Sequence, residues 1–409
     1  MQNFSELPIS HYTKERLSAA HFSIPTPVQA AAIPHALAGK DVLATAQTGT
    51  GKTLAFLIPV IEQLLLFNVP GIAALVLVPT RELAMQVVDQ YNALRGKQLS
   101  PAALVVGGLS EGQQLAALRN GARLVVATPG RLEDFLDRKL VNFRALSVLI
   151  LDEADRMLDM GFLPSIRRIV GVLPKDRQTL CFSATLEASV AHLVDDYMRH
   201  PVRVALGSTL KPCESVRVQA FEVHSDQKQE VLHRLLTKHT GRCLIFARTK
   251  RGAERIAQNL VRKGFAAALI HGARSQSQRT AALTGFQRGR YRVLVATDLA
   301  SRGIHVQDIA HVINYDLPEV AENFIHRVGR TGRAGERGVA STLFTRDQRA
   351  ELFQLESTLG IRIERMGADG DPAEKQDRER TVSVIERSES APRPRIMVRL
   401  PGEVLQSSA

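Results

Sequence analysis

Ala46-Gln47-Thr48-Gly49-Thr50-Gly51-Lys52-Thr53 lies between an apolar run that reads as a strand (Val42 to Ala46) and one that reads as a helix (Leu54 to Phe67). Glycines at 49 and 51 let the backbone turn tightly enough for successive N–H groups to point inward, and the following helix adds its positive N-terminal end, so the loop suits a polyphosphate. Lys52 supplies a point charge to the outer phosphates, and Thr53 offers a hydroxyl to a magnesium ion. The strict pattern G-x-x-x-x-G-K-[ST] is not met, because Ala46 stands where its first glycine would be. Further on, Val148-Leu149-Ile150-Leu151 runs straight into Asp152-Glu153-Ala154-Asp155. A lone acidic pair there would mean a solvated loop or a helix start that attracts acids. With a phosphate loop upstream the acids acquire work: Asp152 is suited to hold the ion, usually through water, and Glu153 to position an attacking water.

The rest of the composition sets bounds. A chain of 409 residues exceeds one compact core and favours two or three domains. A formal charge of +12 and a pI near 9.9 suggest an anionic partner, nucleic acid before a membrane surface. Cys181, Cys213 and Cys243 have no C-x-x-C spacing and make neither a disulfide framework nor a zinc site. Met1-Gln2-Asn3-Phe4-Ser5-Glu6 lacks the basic and apolar regions of a secretory signal. No run reaches the ~20 apolar residues that span a bilayer. The expectation is a cytoplasmic protein that does not enter a membrane.

The elements that must position these residues are read from alternation. Strand-like runs at 41–46, 74–79, 103–107, 123–128, 148–152, 179–183 and 202–206 alternate with longer amphipathic stretches. That texture predicts strand-crossover-strand units and a parallel sheet with helices on both faces. Residues 207–216 lose periodicity and read as a linker. A second set of runs follows at 217–224, 243–247, 266–270, 292–297, 311–315 and 339–344. The domains expected are 1–206 and 217–365, with a polar, disordered tail over 366–409. In such sheets ligands gather at the carboxyl ends of strands.

Taken together, the A-x-T-G-x-G-K-T loop and Asp-Glu-Ala-Asp at 152–155 resemble a DEAD-box ATP-dependent RNA helicase, in which the alanine is the usual form of the loop. The remaining motifs match in order over residues 4 to about 345. The compact core and short tail are similar to the bacterial RhlE-like subgroup. The resemblance implies two tandem RecA-like domains, with ATP and Mg2+ as cofactors. Phe22 and Gln29, within Phe22-Ser23-Ile24-Pro25-Thr26-Pro27-Val28-Gln29, resemble the adenine-reading element. An amide can meet both donor and acceptor of the adenine edge while a ring stacks on it. The nucleotide set is then Phe22, Gln29, Thr48, Gly49, Thr50, Gly51, Lys52, Thr53 and Asp298, with Thr53 and Asp152 toward the metal. His21 stands where the family usually has glycine.

By the same resemblance, Arg81, Gly108, Thr128, Gly130 and Arg131 in the first domain and Thr249, Thr297 and Arg302 in the second contact RNA. They offer hydroxyls, guanidinium groups and helix-start N–H groups, which suit phosphates and 2′-hydroxyls and read no base edge. His271-Gly272 and Gln278-Arg279 resemble further RNA-side elements. Asp155, Ser183, Thr185 and His326 are implied to couple the two ligands. In His326-Arg327-Val328-Gly329-Arg330-Thr331-Gly332-Arg333, the guanidinium groups of Arg330 and Arg333 look like arginine fingers that reach the γ-phosphate from the second domain. With Lys52, Asp152 and Glu153 they form the implied catalytic set. His305 replaces the family's usual acidic residue. The function implied is RNA-stimulated ATP hydrolysis coupled to domain closure and local, non-processive unwinding by a monomer, with ribosomal or RNA-decay proteins as possible partners. Alternatives are a DNA translocase of the same superfamily and a non-catalytic RNA clamp.

Overall fold

Runs that are apolar on every residue can be buried on both faces, and a parallel sheet covered by helices on each side buries them so. The computed structural model describes residues 3–46, 50–67, 69–185, 188–205, 215–298, 308–332 and 337–367. One sheet contains β1 (Val42–Thr45), β2 (Ala74–Leu77), β3 (Ala103–Val105), β4 (Leu124–Ala127), β5 (Val148–Asp152), β6 (Gln178–Ser183) and β7 (Val202–Ala205). Its strand order is β3-β4-β2-β5-β6-β1-β7. The other contains β8 (Val216–Glu222), β9 (Arg242–Phe246), β10 (Ala267–Ile270), β11 (Val293–Ala296), β12 (Ile309–Asn314), β13 (Gly338–Phe344) and β14 (Glu364–Met366), ordered β10-β11-β9-β12-β13-β8-β14. The described pairings are parallel throughout.

Strand alternation divides each core in two. In β2, Ala74 and Val76 join the cluster on one face while Leu75 and Leu77 join that on the other. In β9, Leu244 and Phe246 face one way and Cys243 and Ile245 the other. Cys181 and Cys243 are buried free thiols, packed as small apolar residues.

Most of the segment expected as a linker falls at 206–214, outside the described residues, and so does the tail from 368. Met366, expected as the first tail residue, is instead the last residue of β14. Among the described residues no helix is long and apolar enough to cross a membrane.

Candidate functional site

Strand order sorts the motifs. The phosphate loop leaves β1, the acidic quartet leaves β5 and Ser183-Ala184-Thr185 leaves β6, and these three strands are neighbours. The carboxyl ends of β3, β4 and β2 carry Gly107-Gly108, Thr128 to Arg131 and Thr80-Arg81 on the adjoining half of the same edge. A nucleotide and a nucleic-acid strand can therefore lie side by side on one domain.

The nucleotide half is built from buried polar groups. Gly51 has φ 90, and a Cβ there would come within 2.3 Å of Gln29 Nε2. The close approach lets Gln29 Nε2 donate to the Gly51 carbonyl at 2.9 Å while its Oε1 accepts from Thr26 N–H at 2.9 Å. The adenine-reading candidate is thus stitched to the phosphate loop, and the side chain's second N–H and the second lone pair of its Oε1 suit a ligand. Phe22 is half-buried beside the first core. Lys52 is buried at the start of the helix Lys52–Leu66 and donates to the Ala46 carbonyl at 3.0 Å. Thr53 follows it, half-buried; Thr50 and Gly51 precede it. Thr48 and Gly49 lie outside the described residues.

Asp152, Glu153 and Asp155 are all buried. Burial pushes the Asp152 carboxyl up to about 7, against the pull of Lys52 and with an added push from Glu153. The Asp152 carboxylate and the Thr53 hydroxyl are hard oxygen groups of the kind that hold Mg2+, and Lys52 beside them suits the phosphates. Among the described residues no three His, Cys, Asp or Glu side chains form a metal cage. Glu153 sits at φ 53, ψ 49, a left-handed conformation forced where β5 turns into the helix Ala154–Asp159. Its Oε2 accepts from Arg156 Nη1 at 2.7 Å. Asp155 Oδ2 accepts from Ala184 N–H at 2.8 Å, Thr185 N–H at 2.9 Å and Thr185 Oγ1 at 3.3 Å. Ser183 Oγ accepts from Thr185 N–H at 3.4 Å.

The RNA candidates divide into those that point at the cleft and those already engaged. Arg81 reaches Gln276 Oε1 of the second domain at 3.3 Å and lies against Gly108, where a Cβ would be 2.2 Å from its Nη1. Thr128 is buried at the start of the helix Pro129–Asp137, and Gly130 in that helix faces open space. Arg131 is not open to a phosphate: it pairs with Asp134 at 2.5 Å and with Glu111 at 2.8 Å, beside Arg138. Thr249 caps the helix Lys250–Arg262 by accepting from Gly252 N–H at 3.0 Å, and Thr297 is buried at the end of β11. His271 pairs with Glu254 at 2.9 Å. Arg302, Arg333 and His305 lie outside the described residues.

Across the interface, Arg330 is buried, and Arg156 of the first domain lines a narrow space with Phe246, Asp298, Asn323, His326, Arg327 and Arg330 of the second. His326 is held well below its ordinary value by burial and next by the Arg156 guanidinium, with Glu153 acting in the opposite sense. It is therefore neutral at pH 7. Asp298, expected toward ribose, makes a two-point pair with Arg327 at 2.6 Å on each arm. Arg327 also donates to Asn314 Oδ1 and the Asp316 carbonyl, so it braces the ends of β11 and β12.

Gln276 and Arg156 are absent from the sequence expectations, and Arg279, expected as an RNA-side residue, is engaged with Glu82 at the domain seam. Glu82 is buried and accepts from Arg279 at 2.9 Å and from Gln276 Nε2 at 3.1 Å, joining the domains. Gln276 and Arg279 are three apart and share a helix face, so their spacing carried the signal. Gln278 turns away to cap Ser275 at 3.2 Å. Arg156 follows the acidic quartet with no spacing that would distinguish it from a solvated arginine.

The DEAD/DEAH box helicase model matches residues 26–193, and the helicase conserved C-terminal domain model matches residues 227–335. The chain is 42% identical over 355 residues to the Dictyostelium discoideum protein named "Probable ATP-dependent RNA helicase ddx17", covering 85% of this chain and 45% of that protein. It is 38% identical over 367 residues to the DEAD-box ATP-dependent RNA helicase CshA of Geobacillus kaustophilus, covering 90% of this chain and 78% of the relative. Among solved structures, S. cerevisiae Dbp5 bound to RNA and ADP BeF3 superposes with a TM-score of 0.81 at 27% identity, over 95% of this chain and 99% of that one. The chain thus spans about half the length of the first of these relatives and most of the second.

Proposed function

This chain belongs to the DEAD/DEAH box helicase family, and we propose that it is an RNA-stimulated ATPase that remodels short RNA duplexes and RNA–protein complexes. The observation that carries this is the meeting of two half-sites. Lys52, Asp152 and Glu153 are buried on one domain, and His326 and Arg330 approach them from the other. In this reading ATP binds the phosphate loop, Gln29 orients the base and Lys52 exchanges its Ala46 carbonyl for a phosphate oxygen. Thr53 and Asp152 would hold Mg2+, which would supply neutralisation of phosphate charge. Glu153 accepts a proton from, and so orients, the water aimed at the γ-phosphorus; the bond to the leaving ADP oxygen breaks as the new P–O bond forms. Arg330, together with Arg333, stabilises the charge that develops.

RNA would run along the neighbouring strand ends through Arg81, Gly108, Thr128, Gly130, Thr249, Thr297 and Arg302. Arg131 joins them only if RNA displaces its carboxylate partners. Contacts of this kind predict sequence-independent, salt-sensitive binding. Dbp5, whose arrangement of both domains this chain shares, was captured with RNA and an ADP beryllium fluoride. A cytoplasmic monomer with ribosomal or RNA-decay partners, close in type to the bacterial RhlE-like subgroup, remains the finer part of the proposal.

Glu153→Gln tests the reading. It should bind ATP within about threefold of the native chain and lose RNA-stimulated phosphate release by about 10²-fold or more. Retained turnover would remove Glu153 from the chemistry. Unwinding assays on matched RNA and DNA duplexes separate the proposed activity from a DNA translocase.

A further inference from the structure

Arg156 is among the largest fully buried side chains of the protein, at 2% exposure. A guanidinium keeps its charge, and taking it out of water is costly unless its geometry and hydrogen bonds are well matched. Its matched partner is Glu153, three residues earlier, at 2.7 Å and equally buried. Arg156 lies in the short helix Ala154–Asp159, and Glu153 immediately precedes that helix. What covers the pair on its other side belongs to the second domain, where Asn323, His326 and Arg330 share one narrow space with the Arg156 side chain.

Burial of this ion pair therefore depends on closure. With the domains apart, the Arg156 end faces water, where an ion pair is weakly held. With the domains together, the pair is desolvated and fixed. The Glu153 backbone, in its left-handed conformation, sets where the side chain starts, and Arg156 sets where the carboxylate ends.

We propose that Arg156 is a positioning residue that converts domain closure into a fixed orientation of the Glu153 carboxylate. The inference rests on the proposed role of Glu153 as the group that orients the attacking water. Arg156 itself touches neither nucleotide nor RNA in this scheme. Displacement of an orienting group by about 1 Å can cost about 10²-fold in rate.

The test uses the full chain with Arg156→Met and Arg156→Lys. ATPase rates are measured at saturating single-stranded RNA, and affinity for the same RNA is measured with a non-hydrolysable ATP analogue as a readout of closure. Arg156→Met should lower kcat by about 10- to 10²-fold, with KM for ATP and analogue-dependent RNA affinity within about threefold of native. Arg156→Lys, which keeps the charge without the planar fork, should recover part of the rate. A native kcat in Arg156→Met overturns the proposal. So does a fall in kcat accompanied by an equal fall in analogue-dependent RNA affinity, because the residue would then serve closure alone. If Arg156→Met does not fold, Arg156→Lys decides, and a fully native kcat there overturns the proposal. Glu153→Gln is run alongside: if it retains turnover, the underlying reading fails; if it is inactive while the Arg156 variants are native, only the role of Arg156 fails.

Discussion

His21 ends the helix His11–Ala19 with φ 61, its N–H bonded to the Ser18 carbonyl at 2.9 Å and that of Phe22 to Leu17 at 2.9 Å. This double bond pattern is the helix stop that glycine serves best. The family's usual glycine at this position thus has a physical reason, and histidine meets the same conformation at a cost. The left-handed region disfavours a side chain by about 1–2 kcal/mol, part of which glycine loses again through its freer unfolded chain. His21→Gly should raise the stability of the first domain by roughly 1 kcal/mol, measured by urea unfolding; an unchanged or lower midpoint would contradict it. The departure at His21 could be read from the sequence because it concerns one residue and its own backbone. The burial of Lys52, Asp152 and Glu153 beside the ends of β1 and β5 was legible for a similar reason, since each follows closely on a strand that the sequence marks. The partner of Arg156 was not, because a guanidinium on a short helix has many possible carboxylates until the fold chooses one.

At the scale of elements, apolar β-branched runs announced the inner strands, while β14 escaped. Glu364-Arg365-Met366 is an edge strand that, among the described residues, pairs only with β8, so it needs no apolar face on both sides and leaves no periodic trace. A different surprise lies in β12. His311 stands in the middle of an inner strand, buried, with Nε2 2.8 Å from Ser341 Oγ and its ring edge-on to His239 at 4.6 Å. Burial, and then His239, lower its pKa from 6.5 to about 3. The folded value lies below the unfolded one, so the neutral ring favours the fold. That contribution is complete above pH 6.5 and is lost progressively as the pH falls toward 3. His239, also lowered by burial, acts in the same direction. The unfolding midpoint of the second domain should drop between pH 6.5 and pH 5, and His311→Gln should flatten that dependence. An equal slope in the variant would assign the acid sensitivity elsewhere.

For the whole molecule, the decisive contacts join segments that are far apart in sequence, which is why spacing within either domain could not reveal them. Arg81 and Arg279 approach each other across the cleft; burial first, and then Arg279, lower the Arg81 pKa, while Glu82 raises it. Glu82 is therefore the counter-charge that allows two guanidinium groups to meet at the seam, with Gln276 satisfying both Arg81 and Glu82. Removing one partner of such a buried charge pair costs about 2–5 kcal/mol, largely because the other charge stays buried without compensation. With the domains apart, all of these groups return to water and the cost disappears. Glu82→Ala should thus weaken RNA binding by at least about thirtyfold when a non-hydrolysable ATP analogue is present. Binding without nucleotide should stay within about threefold. Arg279→Ala should lose a similar amount, and the double variant should lose little more than either single one, since both changes delete the same contact. Additive losses in the double variant, or an equal loss without nucleotide, would show that Glu82 stabilises the first domain alone and that closure is held elsewhere.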